Sequence, residues 1–203
     1  MTDSLSNNTG AEEVIASEAL SNKALTRLWV EKLVVGEGLC PFAHPIMDKL
    51  HIEECKSQDL EQITRAFLSL LNEMQLADDE DLPTALFIIP QALADFDEYL
   101  DWLFLCEDLL EQAGLEGDIQ LASFHPHYEF EGEDAEAMTN YSNRSPFPMI
   151  HFIRENHISE ALKTVTKPEA IPERNKRHMQ RLGKEGLLQL MPELAASAIF
   201  VKK

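Results

Sequence analysis

Six consecutive residues, Thr84 to Ile89 (TALFII), stand between Pro83 and Pro90 without a charged side chain among them. Proline cannot continue a helix or donate to a central ladder, so the two prolines bound the segment at strand length. The run shows no alternation of apolar and polar residues. A strand of that kind is covered on both faces, which requires a sheet enclosed between other layers. The rest of the chain has to supply those layers.

Helical periodicity is found on both sides of this run. Ile63, Phe67, Leu70, Leu71 and Met74 recur at helical spacing and predict a helix over 60–76, capped by Ser57 or Asp59. A second helix is expected over 95–112, with Phe96, Leu100, Leu103, Phe104 and Leu110 inward and Gly114 as its stop. An earlier helix over 17–35 carries Leu20, Ala24, Leu28 and Leu33, with Trp29 near the same stripe, and ends at Gly36 and Gly38. Further strands are read at 49–55, 118–124 and 148–153. Shorter helices are read at 158–165 and 173–182, and an amphipathic tail at 187–201 is expected to dock on the body. The order implies an α/β or α+β layered single domain, a central sheet of about four strands flanked by long helices. The crossover helices predict parallel neighbours among the first three strands, with the last strand free to run antiparallel.

Residues 1–16 are polar and read as a flexible leader, leaving 17–203 as one globular domain. The start lacks a signal-peptide pattern and no apolar run reaches membrane-spanning length, so a cytoplasmic location and no membrane partner are expected. Of 36 acidic residues, 30 precede Arg154, against 7 of the 17 basic ones. A field of that sign repels phosphate backbones, and no nucleic-acid partner is expected. The basic residues gathered in Arg174, Lys176, Arg177 and Arg181 are expected to lie near acidic surface of the main body. Oligomeric state is not legible in the chain.

Chemistry concentrates in 123–155. This stretch holds His125, His127, Asn140, Asn143, Arg144, Ser145, His151 and Arg154 among six Phe and Tyr rings. His125 follows directly from the third predicted strand, and ligands in open α/β sheets gather at strand carboxyl ends. The segment between the last two strands exceeds the usual length of a connector, as functional loops do; the alternative is an ordered lid whose rings cap the core. Asn143, Arg144 and Ser145 offer an amide, a guanidinium fork and a hydroxyl suited to a carboxylate or phosphate. Arg144 is the only Lys or Arg between Arg65 and Arg154, and it serves either a ligand's anion or loop carbonyls as a structural tie. Alternation along the last strand places His151 on the face opposite Ile150 and Phe152, where it is a core residue or a proton carrier.

Cys40 lies between glycine-containing residues and Pro41. Near a histidine its thiol can act as a nucleophile; otherwise it is a small turn residue. Cys106, within the apolar run WLFLCEDLL, reads as core, and Cys55 ends a strand without polar neighbours. The three cysteines match neither a disulfide framework nor a metal clip, and no metal site is expected. No phosphate-binding glycine loop, dinucleotide fingerprint or nucleophile elbow is present, so no cofactor is assigned.

Leu39-Cys40-Pro41-Phe42-Ala43, Phe124-His125-Pro126, the run from Thr139 to Pro148 (TNYSNRSPFP), His151, Arg154-Glu155 and Pro172-Glu173-Arg174-Asn175 together resemble domain of unknown function 1415, a bacterial family. The resemblance spans nearly the whole chain beyond the leader. It implies a single cytoplasmic domain and brings no activity, cofactor or catalytic residue. Two functions then stand side by side. One is an enzyme acting on a small anionic metabolite, with Cys40, His125 and His151 as catalytic groups and Asn143, Arg144 and Ser145 as the anion site. The other is a non-catalytic ligand-binding or protein-interaction module that uses the same loop for recognition. Convergence of Cys40, Arg144 and His151 on one pocket favours the first.

Overall fold

The computed structural model describes residues 20–41, 43–163 and 167–200. The leader and the end of the tail, Val201 included, lie outside them. The elements are α1 (Asn22–Trp29), continued as a π-helix over Val30–Val35, then β1 (His51–Glu54) and α2 (Leu60–Leu76). They continue with β2 (Thr84–Ile88), α3 (Phe96–Gln112), β3 (Ile119–Phe124), β4 (Met149–Arg154), α4 (Glu155–Leu162) and α5 (Ile171–Leu190). The fold is mixed α and β, built on one four-stranded sheet.

The sheet order is β1-β2-β4-β3. β1 and β2 are parallel, as the α2 crossover requires, with His51 opposite Ala85. β3 runs in the same direction but does not touch β2. β4 is inserted between them and is antiparallel to both, with Leu86 opposite His151 and Ala122 opposite His151. The expectation of parallel neighbours therefore holds for the first pair alone. The loop after β3 returns the chain at the carboxyl end of the sheet, so β4 enters the gap in the opposite direction.

Every residue of β2 is buried. Ala85, Phe87 and Ile89 face one layer with Ile150 and Phe152, against the α2 stripe Ile63, Phe67, Leu70, Leu71 and Met74. Leu86 and Ile88 face the other layer with Ile52 and Met149, against Trp29, Val30 and Leu33 of the first helix and Met179 and Leu187 of α5. The tail docks there as well, through Met191, Leu194 and Ile199. The α2 cap is Asp59, which accepts from Gln62 N–H at 3.0 Å, while Ser57 Oγ accepts from Asp59 N–H.

Two helical stripes differ from the expected phase. In α3 the buried side chains are Tyr99, Trp102, Leu103, Cys106 and Leu110, and Phe104 is 58% exposed. In the first helix Trp29 and Leu33 are inward but Leu20 and Ala24 are exposed. At about 100° per residue Trp29 stands opposite Leu20 on the helical wheel, so burying Trp29 turns Leu20 and Ala24 outward. Among the described residues no helix is long and apolar enough to cross a membrane.

Candidate functional site

The loop from Tyr128 to Phe147 is bound together by its own polar side chains. Asn140 is fully buried; its Oδ1 accepts from Phe130 N–H at 3.1 Å and its Nδ2 donates to Asp134 O at 2.8 Å. Arg144, 7% exposed, donates from Nε to Tyr128 O at 3.2 Å and from Nη2 to Ala135 O at 2.6 Å, with its guanidinium 4.5 Å above the Tyr141 ring. Ser145 Oγ donates to Phe147 O at 2.6 Å, and Asn143 Nδ2 donates to Ser123 O at 3.4 Å. The guanidinium and hydroxyl groups read as an anion site are thus directed at loop carbonyls, and the Asn143 amide at a carbonyl of β3. The cavity beside Arg144, about 380 Å³, is also lined by Asp95, Asp97, Glu129 and Glu136. Four carboxylates against Arg144 and Lys184 make it a poor place for a further negative charge.

Arg144→Ala is expected to lower stability by about 2 kcal/mol or more, because two loop carbonyls lose a charged donor. Arg144→Lys should recover only part of that, since one ammonium cannot reproduce the two-armed geometry. Urea unfolding of both variants measures this, and an unchanged midpoint for Arg144→Ala would remove the tie from the account.

His125 is fully buried at the end of β3, against Phe96 and Tyr99. Its Nδ1 accepts from His127 N–H at 3.0 Å, and Nε2 lies 2.9 Å from Leu93 O. The first bond needs an unprotonated Nδ1 and the second a protonated Nε2, so the pair selects one neutral tautomer. Leu93 itself adopts φ 56°, which aims its carbonyl at the ring's nitrogen without the help of a glycine.

Cys40 and His151 line one cavity on the face of the sheet opposite His125. It measures about 290 Å³ and is enclosed by Trp29, Val34, Met47, Leu86 and Phe124, among others. His151 reaches it because β4 alternates: Ile150 and Phe152 point to the α2/α3 layer, and His151 to the other. Its Nε2 lies 2.6 Å from Thr84 Oγ1, a buried hydroxyl also 3.2 Å from Phe152 O. Nδ1 has no partner among the described residues. Burial pushes the imidazole's pKa down to about 4, so it is neutral at physiological pH. Cys40 arrives from the π-helix through a turn with Gly38 at φ 65°, and its N–H bonds to Val34 O at 3.2 Å. Gly36 cannot be replaced there, because a Cβ would stand 2.3 Å from Lys32 O.

The structure therefore brings Cys40 and His151 together and places Arg144, Asn143, Ser145 and His125 elsewhere. Trp29 and Thr84 belong to the cavity and were not singled out from sequence. Trp29 read as a core position, and its indole N–H is the one buried side-chain group without a hydrogen-bond partner among the described residues. A tryptophan whose N–H has no partner is a signal visible only once the packing is known. Burial in the α3 layer drives the Cys106 thiol's pKa up, as suits an inert core residue. Among the described residues no three His, Cys, Asp or Glu side chains gather as a metal set.

Against known proteins, a family model described as "Protein of unknown function (DUF1415)" matches residues 21–189. No curated protein and no solved structure matches.

Proposed function

We propose, for a chain that belongs to the DUF1415 family of proteins of unknown function and so inherits no assigned activity, that the Cys40–His151 cavity binds a small, uncharged, largely apolar molecule. The observation that carries this reading is the lining. In a chain of net charge −19, no charged side chain among the described residues borders this cavity, and its polar groups are a thiol, a threonine hydroxyl, a glutamine and a neutral imidazole. At about 290 Å³ it suits a ligand at the small end of the usual range. An anionic metabolite of the kind the Arg144 loop suggested would be desolvated here with no cation to meet it.

Cys40 and His151 are the groups that would act on such a molecule. With a carbonyl compound, the sulfur–carbon bond forms while the carbonyl π pair moves onto oxygen, and that oxygen takes up the thiol proton, relayed by way of His151 Nδ1 without leaving the ring charged. The product is a reversible hemithioacetal with no change of oxidation state. In the non-catalytic version the same pocket only holds the ligand.

The test is a titration with medium-chain alcohols, ketones, aldehydes and carboxylic acids, read by tryptophan fluorescence and by thermal shift. Trp29 reports directly because it lines the cavity. Saturable binding of at least one uncharged class is expected, abolished by the space-filling Val34→Phe. Carboxylic acids should bind about tenfold more weakly or worse, ~1.4 kcal/mol. An aldehyde preference lost in Cys40→Ser selects the covalent version. Equal binding of acids, or no binding by any class, would sink the reading.

A further inference from the structure

The motif Pro172-Glu173-Arg174-Asn175 opens α5, and the cavity lining does not include it. Its side chains reach across to the two residues that precede Cys40. Asn175 Nδ2 donates to Leu39 O at 2.7 Å. The Arg174 guanidinium donates to Gly38 O, and it also donates to Asn175 Oδ1 at 3.0 Å, which orients that amide with its nitrogen toward Leu39. One turn further on, His178 Nε2 lies 2.7 Å from Glu37 Oε2. Met179, fully buried, seats this face of α5 on the core between these contacts.

Residues 37, 38 and 39 are outside any helix or strand, so neither a ladder nor a helical turn holds their carbonyls. The turn is also a conformationally demanding one, given Gly36 and Gly38. Lys176 extends the same helix to the other side, bonding Glu133 Oε1 at 3.0 Å, while Glu133 Oε2 accepts from Thr139 Oγ1 at 2.9 Å. These two donors hold the Glu133 carboxyl below the usual carboxylate range. The first turns of α5 thus strap the Cys40 turn on one side and the polar loop on the other.

We infer that Asn175 is a positioning residue for Cys40: its amide, held by Arg174, fixes the Leu39 carbonyl and with it the presentation of the thiol to the cavity. The inference rests on the reading of that cavity as the ligand site, but its test needs no ligand. Without the Nδ2 donor, Leu39 O loses its partner and the turn gains an open state in which the thiol meets solvent.

The measurement is the alkylation rate of Cys40 by iodoacetamide in the full chain, followed by peptide mass spectrometry across a pH series. Buried Cys55 and Cys106 serve as internal controls for unfolding. Asn175→Asp keeps the shape and the acceptor for Arg174 but removes the donor, whereas Asn175→Gln keeps the donor. Asn175→Asp is expected to raise the Cys40 rate about fivefold or more while the two controls stay protected, and Asn175→Gln to restore part of the wild-type rate. If Asn175→Asp exposes all three cysteines, Arg174→Ala decides instead, because that side chain is exposed and its loss spares the core. A selective rise at Cys40 then supports the inference. A Cys40 rate within about twofold of wild type in the folded variant overturns it, whatever happens to the melting temperature. Should no compound bind the cavity while the selective rise is found, the ligand reading fails and the positioning role stands.

Discussion

Replacing Arg154 with alanine is expected to lower stability by about 3 kcal/mol, because three backbone carbonyls lose one buried charged donor, while the exposed partner Asp79 adds little. Arg154 ends β4 and is 7% exposed. Its Nε donates to Leu82 O at 2.9 Å, and Nη2 to Met74 O at 2.6 Å and Ala77 O at 3.0 Å. Nη1 stands 2.7 Å from Asp79 Oδ1. Met74 lies in the last turn of α2 and Ala77 is its cap, where helical carbonyls lack intrahelical donors and the helix dipole favours a cation. One guanidinium therefore joins the end of α2, the connection into β2 and the end of the inner strand β4. Arg154→Lys should fall well short of rescue, because an ammonium cannot span three carbonyls and a carboxylate from one side. Equilibrium urea unfolding reads the effect. A loss below about 1 kcal/mol would mean that water replaces the guanidinium without cost.

The second large effect depends on pH. Burial lowers the His151 pKa from 6.5 to about 4, so the folded protein resists a proton that the unfolded chain accepts. The resulting stability is fully present above about pH 6.5 and is lost as pH falls toward about 4, because in that window the unfolded state binds more protons. Its full size is about 3 kcal/mol. The many carboxylates of the chain titrate in overlapping range, so the comparison has to be with His151→Gln, which keeps a hydrogen-bonding group for Thr84. The stability difference between wild type and variant should shift against the wild type by about that amount between pH 7 and pH 4. Parallel curves, or an imidazole resonance titrating near pH 6.5, would show that the ring is hydrated. The sign matters for function as well: a ring neutral throughout the physiological range does not attract an anion.

What could be read from the chain alone was whatever nearest neighbours and periodicity determine. The run from Thr84 to Ile89 has apolar groups on both sides of a pleat, so it had to be a strand with both faces covered, and β2 is buried throughout. The α2 stripe was legible residue by residue because only one helical phase gathers its apolar side chains. The same period-two logic placed His151 on the face away from Ile150 and Phe152. Where the local pattern fits two phases, it failed. The run WLFLCEDLL in α3 has apolar residues on adjoining sides of the helix, and only docking on the sheet selected Trp102, Leu103 and Cys106 over Phe104.

The grouping of the site was decided by tertiary structure for a related reason. Sequence density suggested that Arg144, His125 and His151 act together, yet His125 packs toward α3, His151 points to the other face of the sheet, and Arg144 is held within the loop beyond the strand ends. Arg144 was spent on carbonyls that exist as partners only after the loop has folded back on itself. The insertion of β4 between β2 and β3 then set His151 against Thr84 and into the cavity that Cys40, more than half the chain away, also lines. No periodicity encodes such a meeting. It follows from which strand fills the gap in the sheet and which helix covers that face.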